Sequence, residues 1–193
     1  GVPLAASAHV EVDPTAAPAG ATTALTFAFH HGCNDSPTTA LTISIPKGIG
    51  NATPVYQGGW HIARTLGADG VPTSVTFTAE SPIESGVAAS VSIDALFDTT
   101  TTGTTVAFPV TQTCVKGSTE WTQVPRAGQS AEDLDTPAPA VAVTDAAAGA
   151  PSGSDAAPAS DPVARWLAGG GLAAGIVGIV LAGIAWGRRR QMR

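Results

Sequence analysis

The sequence predicts an all-β protein: an antiparallel β-sandwich ectodomain, then a disordered linker and one C-terminal transmembrane helix. Three observations carry that prediction. Large side chains fall at every second position of several short segments, residues 166–186 hold no charged side chain, and Ala, Pro, Ser, Gly and Asp dominate the stretch between the two.

The strands come first. In Ala24-Leu25-Thr26-Phe27-Ala28-Phe29 the large residues alternate, as do Leu41, Ile43 and Ile45, and Val106, Phe108 and Val110. A period of two marks a strand with one buried face. Segments 60–66, 74–79, 87–97 and 119–124 read the same way, separated by turns such as Pro46-Lys47-Gly48 and Ala68-Asp69-Gly70. Seven or eight short strands at this spacing predict two packed antiparallel sheets over 9–125, a span long enough to enclose a core.

Cys33 shares parity with Leu25, Phe27 and Phe29, and Cys114 with Val106, Phe108, Val110 and Gln112, so both are expected to point inward. In an oxidising compartment the expected outcome is a disulfide. It would close a loop of about 80 residues and contribute on the order of 4 kcal/mol by the chain-entropy model. The alternative is a thiolate pair holding a soft metal.

The anchor follows from residues 166–186, WLAGGGLAAGIVGIVLAGIAW, which are 21 positions without a charge. At ~1.5 Å per residue such a helix is about 30 Å long, the hydrocarbon thickness of a bilayer. Trp166 and Trp186 bracket it, and Arg188, Arg189, Arg190 and Arg193 follow. A helix over 166–187 with a cytoplasmic tail at 188–193 therefore satisfies the positive-inside rule. The spacing Gly171-x-x-x-Gly175 also fits helix packing. Upstream, 126–165 shows no apolar periodicity and reads as a tether. At the other end, GVPLAASA reads as the end of a signal peptide. Ala6-Ser7-Ala8 is an A-x-A site, and cleavage after it leaves His9 first.

Charge narrows the partners. Residues 9–125 carry Lys47, Arg64 and Lys116 against nine Asp and Glu. That balance argues against nucleic acid and anionic membrane surfaces and for cations. A new N-terminal His9 would offer its amine and its imidazole Nδ1 to one ion as a chelate, a nitrogen pair suited to Cu(II). An amine of pKa near ~8 gives up its proton to a metal far more readily than a backbone amide does. His30, His31 and His61 are the other histidines. His30 and His31 are consecutive, so in a regular strand they face opposite ways and cannot share an ion.

The segments His9-Val10, His31-Gly32-Cys33-Asn34-Asp35-Ser36-Pro37-Thr38-Thr39, Gly59-Trp60, Phe108-Pro109-Val110-Thr111-Gln112-Thr113-Cys114 and Glu120-Trp121-Thr122-Gln123-Val124-Pro125 together resemble the YcnI-like copper-binding domain. The resemblance spans nearly the whole ectodomain, and HGC, Q-T-C and W-x-x-V-P are more specific in combination than singly. It implies a single-histidine brace at the processed N-terminus, a Glu from a later strand and a Trp beside the ion. His9 and Trp121 match the first and last. The Glu does not transfer, because Ala89 stands at its position within Gly86-Val87-Ala88-Ala89-Ser90-Val91. Glu84 is taken as the substitute ligand, with Glu80, Asp94 and Glu120 as further candidates.

The expected function is therefore an exported, membrane-anchored protein that stores, buffers or passes Cu(II), with the copper ion and a trafficking protein as partners and no enzymatic activity. With one histidine at the amino terminus and the sole methionine, Met192, beyond the anchor, the nitrogen and oxygen donors favour the oxidised ion. A copper-dependent redox enzyme and a metal-free surface scaffold are the alternatives.

Overall fold

A computed structural model describes residues 9–146. The expected leader at 1–8, the linker from 147, the helix at 166–187 and the tail at 188–193 lie outside the described residues. Among the described residues no helix is long and apolar enough to cross a membrane.

The strands in chain order are β1 (Glu11–Asp13), β2 (Ala16–Pro18), β3 (Thr22–Phe29), β4 (Thr38–Ser44), β5 (Ile49–Pro54), β6 (Trp60–Leu66), β7 (Pro72–Ile83), β8 (Ala89–Phe97), β9 (Thr105–Ala107), β10 (Val110–Cys114), β11 (Ser118–Trp121) and β12 (Ala140–Thr144). They form an all-β arrangement of three sheets. The first runs β1-β3-β8-β5 and the second β11-β10-β4-β7-β6, both antiparallel throughout. The third is β2-β12-β9, in which β12 is parallel to β2 and antiparallel to β9.

The expected alternation is realised. Leu25, Phe27 and Phe29 on β3, Val91, Ile93, Ala95 and Phe97 on β8, Leu41 and Ile43 on β4, and Val75 and Phe77 on β7 are all buried. Phe108 joins the layers, with its ring edge-on to Phe27 at 5.7 Å and to Phe97 at 6.3 Å. Aromatic pairs at such distances and angles add specific attraction to the area they bury.

Two expectations need correction. The segment read as one strand through Val106, Phe108 and Val110 is two strands in different sheets. Pro109 has no N–H for a ladder, and the chain changes sheet there: Phe108 N–H donates to Pro139 O, and Pro109 O accepts from Ser44 N. Inward parity nonetheless continues through the break, because Val106, Phe108, Val110, Gln112 and Cys114 are all buried.

The second correction concerns 126–165. This span was expected to be disordered throughout, yet its first part belongs to the fold. β12 lies between β2 and β9 with Val141 and Val143 buried. The return to it is ordered as well. Ser130 caps a short 3-10 turn, its Oγ accepting from Glu132 N and its own N–H donating to Asp133 Oδ2. Farther on, Ala138 N–H donates to Gln123 O. The Ala-Val-Ala-Val alternation is a strand signal, but alanine and proline around it give the composition of a tether. The third sheet holds it through backbone hydrogen bonds to partners remote in sequence, which local pattern does not reveal.

Cys33 and Cys114 form the expected disulfide, with Cα atoms 5.9 Å apart. Their thiols are consumed, which sets aside the thiolate metal pair. The bridge ties the segment leaving β3, in the first sheet, to β10 in the second.

Candidate metal centre

β1 and β11 are edge strands of the first and second sheets. β1 is pinned to β3 in the register Glu11↔Ala28 and Val12↔Phe27, with Val10 and Val12 buried. That anchoring places His9, partly exposed, at the margin of the core. Trp121 ends β11 opposite Val110 and is 6% exposed. The two rings meet edge to face, with centroids 5.7 Å apart and planes at 70°. Thus an imidazole still open to solvent stands against a buried indole.

A buried indole N–H needs an acceptor. Trp121 Nε1 donates to Gln112 Oε1 at 3.0 Å. Gln112 is 1% exposed, and its Nε2 donates to His31 O at 2.7 Å and to Thr38 Oγ1 at 2.8 Å. The acceptor and both donors of the amide are used, so its burial carries no unpaired group.

The HGC segment gives this network its fixed end. A Cβ on Gly32 would collide with the Ser36 carbonyl, so the chain there requires glycine. Asn34 and Asp35 occupy the left-handed region at φ 48° and 64°, where their short polar side chains are tolerated. Ser36 N–H donates to Cys33 O and closes the turn. The β7–β8 turn braces it from outside. Gly86 N–H donates to His30 O, and Ser85 Oγ donates to Asp35 Oδ1. His31 enters the network through its carbonyl, while His30 and His61 are exposed.

The carboxylates are placed differently from the rings. Glu84 lies exposed in the β7–β8 turn, where its carbonyl accepts from Val87 N. Glu80 is exposed at β7. Asp94 pairs with Ala24 and Thr53 at mid-strand, far along β8 from Ala89, and Glu120 Oε2 accepts from the Thr111 hydroxyl at 2.7 Å. Ala89 pairs with Phe29 and packs partly buried against the core. Among the described residues, no three His, Cys, Asp or Glu side chains converge to hold a metal. The structure therefore joins His9 to Trp121 and does not gather Glu84 into such a cluster.

Gln112 and Thr38 are the site residues that sequence reasoning did not single out. The available signal was a polar residue at inward parity between Val110 and Cys114.

A family model described as a domain of unknown function, DUF1775, matches residues 9–143. The chain belongs to the DUF1775 family. YcnI-like proteins are members of this family. The matched span reaches into β12 and includes the buried Val141 and Val143, in agreement with the corrected domain limit. Among solved structures, the DUF1775 domain is similar to an uncharacterized protein from Nocardia farcinica whose crystal structure has an immunoglobulin-like fold. The two share 26% identity with a TM-score of 0.62, over 72% of this chain and 99% of that one. A DUF4466 family protein from Parabacteroides merdae gives 12% identity and a TM-score of 0.32, over 62% of this chain and 44% of that one, too low to inform the fold. No curated protein matches the chain.

Proposed function

We propose that this DUF1775 domain, once the chain is cut after Ala8, binds one Cu(II) through the amine and imidazole of His9, with Trp121 beside the ion. The observation that carries the reading is the edge-to-face contact of His9 with Trp121 at 5.7 Å. It places the one side chain able to chelate together with a terminal amine against an aromatic wall, where solvent has restricted access. The family match opening at residue 9 supports the same start for the domain.

The donor set suits the ion. Imidazole and amine nitrogens favour Cu(II), and the partly exposed ring leaves an approach from solvent. In the uncut chain residue 9 offers an amide nitrogen, whose proton the ion must displace at a greater cost than that of an amine. The metal would thus load more tightly after processing. One imidazole and one amine leave coordination positions for water or a partner's ligand, an arrangement suited to holding and passing on the ion. The apolar segment 166–187 would keep the domain at the outer membrane face, where it buffers Cu(II) or transfers it to a trafficking protein.

The test compares the chain beginning at His9 with the same chain acetylated at the His9 amine. Copper titration with electron paramagnetic resonance should give one Cu(II) on the first form and affinity weaker by several orders of magnitude on the second. Equal affinity and identical spectra would refute the reading, and a first form that retains no copper would favour the metal-free scaffold.

A further inference from the structure

The buried side chains of this domain are almost all apolar. Among the described residues, Thr38 and Gln112 are the only buried polar side chains, and they are bonded to each other. Their shared network has three further contacts. Gln112 receives the Trp121 indole N–H and donates to the His31 carbonyl, while Thr38 Oγ1 lies 3.9 Å from Cys114 Sγ. The buried polar side chains of the core thus form one chain that begins at Trp121 and ends at the disulfide.

An apolar residue of similar volume at 112 would fill the same space without taking an amide out of water. What it could not do is accept from Trp121 Nε1. That bond fixes the rotation of the indole about its side-chain torsions, and this rotation decides which edge or face meets His9. Packing alone restricts a ring on an edge strand less, because one side of it lacks a neighbouring strand.

We infer that Gln112 is the positioning residue of the His9 site, holding the Trp121 indole in the orientation that meets the His9 imidazole. This rests on the copper reading for its ligand, but its geometry stands apart from it. His31 and Thr38 orient the amide, the amide orients the indole, and the indole forms the wall beside His9. The disulfide keeps the His31 segment and β10 at a fixed separation, so the positioning chain has a rigid base.

The experiment uses the whole chain from residue 9 with nitrogen-15-labelled indoles, as wild type, Gln112→Met, Gln112→Glu and Thr38→Val. Gln112→Met should speed hydrogen exchange at Trp121 Nε1 by about tenfold or more, as expected for one lost hydrogen bond. The Trp60 indole signal, from a ring packed on Phe77 in another part of the core, reports whether the fold is kept. Cu(II) affinity should fall about tenfold, the lower end for outer-shell partners, with altered copper hyperfine splitting. Gln112→Glu, as the neutral acid that burial favours, retains an acceptor for the indole and one donor for the His31 carbonyl, and should restore the splitting toward wild type, which a purely structural defect would not allow. Should Gln112→Met not fold, Thr38→Val must show the same changes at smaller size. A folded variant with unchanged Trp121 exchange and an unchanged copper spectrum would overturn the positioning role. A wild-type chain that binds no Cu(II) would instead defeat the copper reading, and the indole exchange would still decide whether Gln112 orients Trp121.

Discussion

His9 opens the folded domain and Trp121 closes β11, yet their rings meet at 5.7 Å across the margin between two sheets. His9 lies two residues before edge strand β1 and Trp121 ends edge strand β11, so neither has a neighbouring strand on both sides. A site of this kind can be assembled only after both sheets have formed. Its geometry then depends on what holds the indole and on what chemical group begins the chain.

Replacing Trp121 by Phe removes the indole N–H and the larger ring but leaves both proposed nitrogen ligands. Cu(II) should still bind, but at least about tenfold more weakly than in wild type, since an outer-shell group is changed and not a donor. The copper spectrum should shift. His9→Ala, in contrast, removes one arm of the chelate and should lose specific binding, as read by the same titration.

Ala89 offers a gain of function. It pairs with Phe29, whose other neighbouring strand is β1, so Ala89 lies two strands from the His9 edge, or about 10 Å at the usual spacing. A Glu side chain there would cover much of that distance and supply the carboxylate that the resemblance leads one to expect. Ala89→Glu should tighten Cu(II) by about tenfold or more, equivalent to at least ~1.4 kcal/mol, in a competition titration. Unchanged affinity would separate β8 from the site.

Breaking the Cys33–Cys114 bridge should destabilise the domain by about 4 kcal/mol, because it closes a loop with a sequence separation of 81. For a domain of this size the melting temperature should fall on the order of 10–20 °C. Thermal unfolding with and without reductant measures it. Reduction that left the melting temperature unchanged would mean that the bridge constrains little.

The C-terminal boundary can be tested by truncation. A chain ending at residue 125 lacks β12 and the buried Val141 and Val143, whose burial contributes about 1.5–3 kcal/mol each. It should melt well below a chain ending at residue 146, or fail to fold. On intact cells, where 166–187 is proposed to anchor the protein, added protease should release a fragment ending between 147 and 165. Cleavage confined to 126–139 would contradict the ordered return to β12.

Period-two alternation placed β3, β4, β6, β7 and β8 from sequence because these strands each have one face on the core, and burial of that face dictates every second residue. Inward parity likewise paired Cys33 with Cys114. The strands it missed are β1 and β2, three residues long and too short to display a period, β5, whose pairing shifts register between Ile49 and Asn51, and β12, whose alternating alanine and valine sit within an alanine- and proline-rich stretch. They are strands because neighbours far away in sequence supply their hydrogen bonds. The site divides in the same way. The sequence by itself determined that His9 could chelate a metal if processed and that a tryptophan lay near the domain's end. Only the tertiary structure decided that their rings meet, that Glu84 stands exposed in a turn outside any three-ligand cluster of the described residues, and that Gln112 accepts the Trp121 indole N–H. Contacts between edge strands of different sheets follow from how the sheets pack, and no local pattern of residues encodes that.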